Sequence, residues 1–486
     1  MFWGSTGMYD KLERAQMTVN DFITPFGGKL DENNRWVKAA KIIPWDMIED
    51  IYAKSFKSEN RDGPKPISAR IAFGALYIKE NEGFPQARTM QHISENIYMQ
   101  YFLGLTEFNS EPLFDSSMLT YIAKRFSKED MKKINKEIYR RSRAPAPPPD
   151  DDSDNSGNGG KNKGTMIVDA TVAPADIRYP TDLSLLNECR ENTERIIDDV
   201  WDQTERIGHK TAYSRKKARK GYLKIAKQRK PRKKQIRSVI REQLEYLKKN
   251  VAWLEEILPN VSLEMYLKHW GRFGTIKEIL QQQRFHYDNP GAPIPNRIVS
   301  VKQPHVRPIV RGKARNETEF GQKINLSVVD GFTFVEKQSW DNFAEGTTLI
   351  ASIEEYREMH GVYPEAVLAD TTYRNRENRN YCKERGIRLS GPRLGRPKAS
   401  EIEADKEQAY QDSCDRNMVE GRIGISKRRY GLSLIYGQLT QTGEVEAVMN
   451  IICMNVANIL RRSLRYYFIR HFIMIFGPRY PQLAEC

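Results

Sequence analysis

Cysteine is scarce in this chain: five in 486 residues, namely Cys189, Cys382, Cys414, Cys453 and Cys486. No two are spaced as C-x-x-C, so a zinc ribbon or a redox pair has no support, and an odd, sparse set suits a reducing compartment. Histidine is scattered as well. His209, His269, His286 and His305 read as structural or surface residues, and no Ser–His–Asp or Cys–His arrangement for nucleophilic catalysis is visible. The N-terminus carries Asp10, Glu13 and Asn20 where a secretory signal has its apolar core. Long apolar runs are missing too. The most apolar stretch, residues 448–460, is broken by Asn450, Asn455 and Asn458 and followed by Arg461, Arg462 and Arg465. That is too short to span a bilayer. A cytosolic protein with no membrane partner is the expectation.

What the chain does have is positive charge. Lys and Arg number 78 against 63 Asp and Glu, a net charge of +15. Such a balance favours a polyanion, since Lys and Arg displace counterions from phosphates, although charge alone leaves a basic protein without such a partner equally open. The charge is concentrated. Residues 211–238 hold thirteen Lys or Arg and no acid, with Tyr213 and Tyr222 interleaved. Arg215, Lys216, Lys217, Arg219, Lys220, Lys233 and Lys234 are the candidate DNA-backbone contacts here. A solvated basic helix is the bland alternative, weakened by the self-repulsion of a run with no acids.

Apolar residues three and four apart make residues 1–143 helical, for DNA binding, dimerisation or plain structure. Asp115-Ser116-Ser117 supplies an N-cap signal before Met118. Residues 144–165 form a Pro, Asp, Ser and Gly linker that can build no core, and its Asp150-Asp151-Asp152 run reads as an acidic spacer. A catalytic domain is expected over 166–470, with a basic helical insertion at 182–290 and a tail at 471–486. Met166-Ile167-Val168 reads as a strand ending on Asp169. After Pro290 come a hairpin turning at Gly331, a helix over 348–360, a buried strand Ala366-Val367-Leu368-Ala369 ending on Asp370, a helix stopped by Gly386, a strand at 387–390, and helices over 400–430 and 443–468. This order predicts an α/β fold with a mixed five-stranded sheet. Its topology is ribonuclease-H-like, with an all-helical insertion after the first strand and an all-α segment ahead of it.

Asp169 and Asp370 each follow an apolar strand, where functional crevices of α/β sheets lie. Singly, such an acid is often a turn or cap residue. A third acid is expected from a neighbouring helix. Glu420 shares a face with Arg416, four residues earlier, and nearly with Lys427, seven later. Without the strands these three read as a surface ladder, and Glu403, Asp412 and Asp415 compete with Glu420. Asp176 and Asp182 compete with Asp169. Two Asp and one Glu suit two Mg²⁺ ions, with Mn²⁺ as a substitute. One ion would activate water or a DNA 3′-hydroxyl and the other stabilise the leaving oxygen, with Lys427 and Arg416 on phosphate.

The block Arg416-x3-Glu420-x6-Lys427 resembles the signature around the catalytic glutamate of bacterial insertion-sequence transposases of the DDE class. Ala369-Asp370-Thr371-Thr372-Tyr373, continuing through Arg376-Glu377-Asn378 and Tyr381 to Gly386-Ile387, resembles the segment around their second catalytic Asp. Val168-Asp169-Ala170-Thr171 resembles that around the first. Asn34-Arg35-Trp36, Ile43-Pro44-Trp45 and Phe114-Asp115-Ser116-Ser117 are similar to the helical domain that precedes the catalytic domain in one such group. The resemblance implies metal-dependent cleavage of double-stranded DNA at terminal inverted repeats and strand transfer into a target. It carries Asp169, Asp370 and Glu420 over as catalytic metal ligands and Arg416, Lys427 and Tyr373 as DNA contacts. It also implies a homodimer holding two element ends in the bacterial cytoplasm, at the nucleoid. A transposase-derived DNA-binding protein that no longer cuts, and a ribonuclease-H-like nuclease, are the alternatives. One departure stands out: the signature's Tyr, three residues before Arg416, is Ser413 here, with Tyr410 one turn earlier.

Overall fold

The computed structural model describes residues 18–24, 27–56, 66–143, 161–203, 210–310, 318–392 and 402–476. Most of the expected linker, the basic loop at 393–398 and the last ten residues lie outside the described residues. The chain forms two compact units. Unit one comprises Met1–Pro174, Lys323–Ser339 and Phe343–Cys486; unit two comprises Ala175–Gln322 and Trp340–Asn342.

Among the described residues, unit one opens with seven α-helices after a short 3-10 turn: α1 (Arg35–Ile42), α2 (Trp45–Lys54), α3 (Ala69–Glu82), α4 (Gln86–Glu95), α5 (Ile97–Phe102), α6 (Met118–Ala123) and α7 (Lys128–Ser142). Side-chain caps start several of them. Asn34 accepts from Trp36 N–H, Ser68 from Ile71 N–H and Ser127 from Asp130 N–H, each satisfying a donor the helix leaves orphaned. Ahead of α6, Asp115 rather than Ser117 does the capping work, accepting from Ser117 N–H at 2.9 Å.

Strand β1 (Thr165–Pro174) follows. The chain then enters unit two through α8 (Asp182–Val200), α9 (Arg215–Ala226), α10 (Lys233–Ile257) and α11 (Leu263–Asp288) and leaves it through β2 (Arg307–Val310) and the start of β3 (Thr318–Val329). Back in unit one come β4 (Phe332–Ser339), α12 (Leu349–His360), β5 (Ala366–Leu368), α13 (Arg376–Glu384), β6 (Arg388–Leu389), α14 (Ile402–Arg429) and α15 (Thr440–Phe476).

The sheet runs β2-β3-β1-β5-β6, with β4 also on β3. β3 and β4 are antiparallel, closed by Asp330 and Gly331 at φ 51° and 75°, the two-residue turn that follows strand twist. β1–β5 and β5–β6 are parallel. The fold is thus mixed α/β, with six strands in the sheet among the described residues rather than five. β2 pairs only with the first residues of β3, and four residues are too few to carry a readable period. β1 also runs five residues past Asp169, because Ala170, Thr171, Val172 and Ala173 are small or β-branched and all buried.

The N-terminal helices and the sheet share one core. It joins Trp36, Phe73, Phe102 and Phe126 to Ile324 and Leu326 of β3 and to Val448, Ile452 and Val456 of α15. Helix α15 extends beyond residue 470, where a tail was expected. Its stretch Thr440–Ser463 is long and apolar enough to cross a bilayer, beyond the span the asparagines implied, and 78% of its most apolar window is buried in the chain. A helix that is apolar nearly all round is the centre of a core here. Two of its asparagines have fixed work. Asn455 accepts from Thr333 N–H and donates to Thr333 and Asn135, and Asn458 donates to Gly331 O at 3.0 Å, holding the β3–β4 turn.

Unit two packs α8, α10 and α11 around Leu186, Ile197, Leu247, Leu254, Ile276 and Ile279. Arg190 is 1% exposed inside it, donating to Gln243, Asn187 and Glu194. A charge so buried is tolerable only when paired and hydrogen-bonded throughout.

Glu446 of α15 is also buried, accepting N–H groups of Tyr436 and Gly437 at 2.9 and 2.8 Å. Burial first, then the nearby Glu80 against Lys79, pushes its carboxyl up from 4.5 to about 7. Its contribution to stability is therefore greatest near pH 4 and falls as pH rises toward 7, where the unfolded chain ionises freely and the folded one does not. The melting temperature of Glu446→Gln relative to the parent should rise between pH 5 and pH 8, by about 2–4 °C, in calorimetric scans. A difference that stays flat with pH would contradict the buried neutral carboxyl.

Candidate active site

The parallel pairing of β1 with β5 sets Thr165 opposite Ala366, Met166 opposite Val367 and Ile167 opposite Leu368. The same offset of 201 residues separates Asp169 from Asp370, two residues beyond the last paired residues, Ile167 and Leu368. Asp370 is still extended, at φ −70° and ψ 164°. The pleat decides which way they point. Ile167, Ala366 and Leu368 pack with Val419 and Ile423 of α14, whereas Met166, Val168, Val367 and Ala369 pack on the other face with Leu349 and Ile353 of α12. Asp169 and Asp370 share parity with the first set and project toward α14. Asp169 is mid-strand, not at a strand end.

Both carboxylates are half-buried. Asp169 Oδ1 accepts from Ala170 N–H at 2.8 Å and Asp370 Oδ1 from Thr371 N–H at 2.6 Å. Asp370 thereby caps the short turn Thr371–Tyr373. Around the hydroxyl of Tyr373 the charges converge. Burial pushes that phenol far up, and the negative charges of Glu345, Asp169 and Asp370 add to it, opposed by Arg416. Arg416 is half-buried on α14 and its Nε has no hydrogen-bond partner. A guanidinium donor left open is a ready contact for an anion.

Glu420 is one turn on from Arg416 along the same helix stripe and is exposed. Its neighbour Val419 is 1% exposed and seats α14 on the β1–β5 surface. Lys427 is half-buried near the end of α14. Of the competing acids, Asp412 is taken up by Arg388 of β6 at 2.7 Å, and Asp182 by Arg297 at 2.7 Å. Hard oxygen donors held side by side suit a divalent cation, and Asp169 and Asp370 fit one. Among the described residues, however, no three of His, Cys, Asp or Glu come close enough together to hold a metal ion. Asp169, Asp370 and Arg416 all act on the Tyr373 hydroxyl, and Glu420 lies one turn further along α14.

Tyr373 cannot be the DNA contact expected of it. It is fully buried and donates to Asn325 Oδ1 at 2.5 Å. Glu345 went unnoticed in the sequence, where nothing marks it. It pairs with the buried Lys323 at 2.9 Å, and Gly346 beside it lies against the Asp370 turn. Asn378 Nδ2 donates to both Gly346 O and Tyr373 O, at 2.7 and 2.8 Å, tying the two turns together.

In unit two the basic run divides cleanly. Tyr222 is buried and Tyr213 donates to Glu194 at 2.8 Å, so the interleaved aromatics serve the core. Arg215 is held by Asp198 at 2.8 Å. Lys216, Lys217, Arg219, Lys220, Lys233 and Lys234 are exposed and make no ion pair among the described residues.

Two family models match this chain. One, described as Transposase DDE domain, covers residues 367–457 and so includes Asp370, Arg416, Glu420 and Lys427. The other, described as Transposase domain (DUF772), covers residues 25–125, from ahead of α1 to just beyond α6. No curated protein and no solved structure matches.

A Cβ on Gly346 would sit 2.8 Å from the carbonyl oxygen of Thr372. Gly346→Ala should therefore displace the Asp370 turn and destabilise the chain by about 1–3 kcal/mol in urea unfolding. Parental stability would mean the two turns are not in contact.

Proposed function

This chain belongs to the insertion-sequence transposases of the DDE class, and from that premise we propose that it cuts double-stranded DNA at the terminal inverted repeats of a mobile element and joins the freed ends to a target. The observation that carries the reading is that Asp169 and Asp370 follow the paired part of β1 and β5 on one offset, on the face packed against α14, the helix that carries Arg416 with its Nε open. The strand order β4-β3-β1-β5-β6, an antiparallel hairpin followed by parallel neighbours, supports a ribonuclease-H-like arrangement for this site.

DDE transposases generally use divalent metal ions. In this reading Asp169 and Asp370 hold Mg²⁺, or Mn²⁺ in its place, and Glu420 is the third ligand. Its place on the Arg416 stripe, next to the buried Val419, supports that role. The cation, when bound, makes a water or 3′-hydroxyl nucleophilic and offsets charge on the leaving oxygen. The chain's own residues do the rest. Arg416 and Lys427 hold phosphate oxygens, Asp169 and Asp370 orient the reacting group between strands and helix, and the packed sheet beneath keeps them in place.

The exposed lysines and arginine of unit two serve as the DNA-backbone surface. Lys216 and Lys217 lie in the first turn of α9 and Lys233 and Lys234 in that of α10. Cations there oppose the helix dipole and weaken each helix, but the open N–H groups and the lysines together suit phosphate. A homodimer, one protomer on each element end, follows from the need to hold two ends at once. Chromosomal DNA as substrate puts it in the bacterial cytoplasm, at the nucleoid.

Asp169→Asn, Asp370→Asn and Glu420→Gln should each reduce cleavage of end-bearing DNA by about a thousandfold while gel-shift affinity persists. Parental cleavage by any one of them in Mg²⁺ removes that residue from the site. Replacing Lys216, Lys217, Arg219 and Lys220 with Ala should lower the salt slope of binding to unrelated DNA by about 3–4. An unchanged slope would return α9 to a merely solvated helix.

A further inference from the structure

Tyr373 stands three residues past Asp370, on the turn that follows β5. The strand order places β1 between β5 and β3. The hydroxyl of Tyr373 nevertheless reaches β3, where it donates to Asn325 Oδ1 at 2.5 Å. Its ring packs in the cluster of Met166, Val168, Val367 and Ala369, on the face opposite α14. The side chain therefore crosses the sheet as a floor under the two aspartates, which project from the other face. Both aspartates are near enough for their charges to act on its hydroxyl.

Packing alone does not ask for that oxygen. Phenylalanine would fill the same space without burying a hydroxyl, and Asn325 is itself fully buried with its Nδ2 unpartnered. Two buried polar groups joined by one hydrogen bond, with a donor left over, are less favourable than an apolar pair of the same shape. The turn's other bonds are local: Tyr373 N–H to Asp370 O at 3.0 Å, and Asn378 Nδ2 to Tyr373 O. The Tyr373–Asn325 bond alone among these ties the turn to β3.

We propose that Tyr373 is a positioning residue, whose bond to Asn325 anchors the Asp370 turn to β3 across β1 and so sets the spacing of Asp169 and Asp370. The inference rests on the reading of those two acids as a cation-holding pair. Tyr373 itself touches neither cation nor DNA.

The test is Mn²⁺ binding to the full chain without DNA, by isothermal titration calorimetry, for the parent, Tyr373→Phe, the double variant Tyr373→Phe/Asn325→Leu, and Asp370→Asn. The double variant removes both polar partners and guards against a single variant that fails to fold. Mn²⁺ affinity should drop about tenfold in Tyr373→Phe and in the double variant, with melting temperatures no lower than the parent's for the double variant, and vanish in Asp370→Asn. Parental Mn²⁺ affinity in the double variant, with binding lost in Asp370→Asn, overturns the positioning role and leaves Tyr373 a core residue. Parental affinity in Asp370→Asn shows instead that the pair is not the cation site, and this inference falls with it.

Discussion

The register between β1 and β5 governs this molecule. Ile167 lies opposite Leu368, and Asp169 and Asp370 follow two residues later on the same offset. A slip of one residue would turn every side chain of one strand to the other face, sending an aspartate into the apolar cluster under α12. Register is held by burial on both faces. Val168 and Val367 are fully buried on one side and Leu368 on the other. The two acids stay half-exposed while the residues before them are packed on both faces.

Helix α14 depends on the same surface. Val419 seats it, and the Arg388–Asp412 pair holds its earlier turns to edge strand β6. That pair has one exposed partner and contributes little to stability, but it fixes direction. From there the helical repeat carries Arg416 toward the aspartates and presents Glu420 one turn later. Charge elsewhere is sorted by the same rule. In α9 the apolar side chains of Ala218, Tyr222 and Ile225 turn inward, so the cations are left on the outside.

Much of the sheet was legible because its signals are strong. The four apolar residues before Asp370 and the Asp330-Gly331 turn each have one economical reading, and so does the helical spacing after Thr348. The weaker signals misled. Small residues after Asp169 hid five more residues of β1, and four residues of β2 carried no period. Tyr373, Tyr213 and Tyr222 looked like DNA-facing aromatics, but a phenol is amphipathic, and only tertiary structure tells whether its oxygen meets water or a partner such as Asn325 or Glu194. Glu345 could not be seen at all, since its nearness to Tyr373 comes from two turns separated in the chain. The sequence also pointed to Asp412 as a rival for Glu420, and only its bond to Arg388 removes it.

In the proposed function, strands β1 and β5 and helix α14 converge on one cation. Loading the chain with Fe²⁺ and adding ascorbate and peroxide cuts the backbone wherever it lies close to the bound iron, and fragment masses map the cuts. Cuts near residues 169, 370 and 416–420 together, all suppressed by excess Mg²⁺, are the expected result. Cuts confined to other segments, or cuts that spare α14 while striking the two strands, would contradict it.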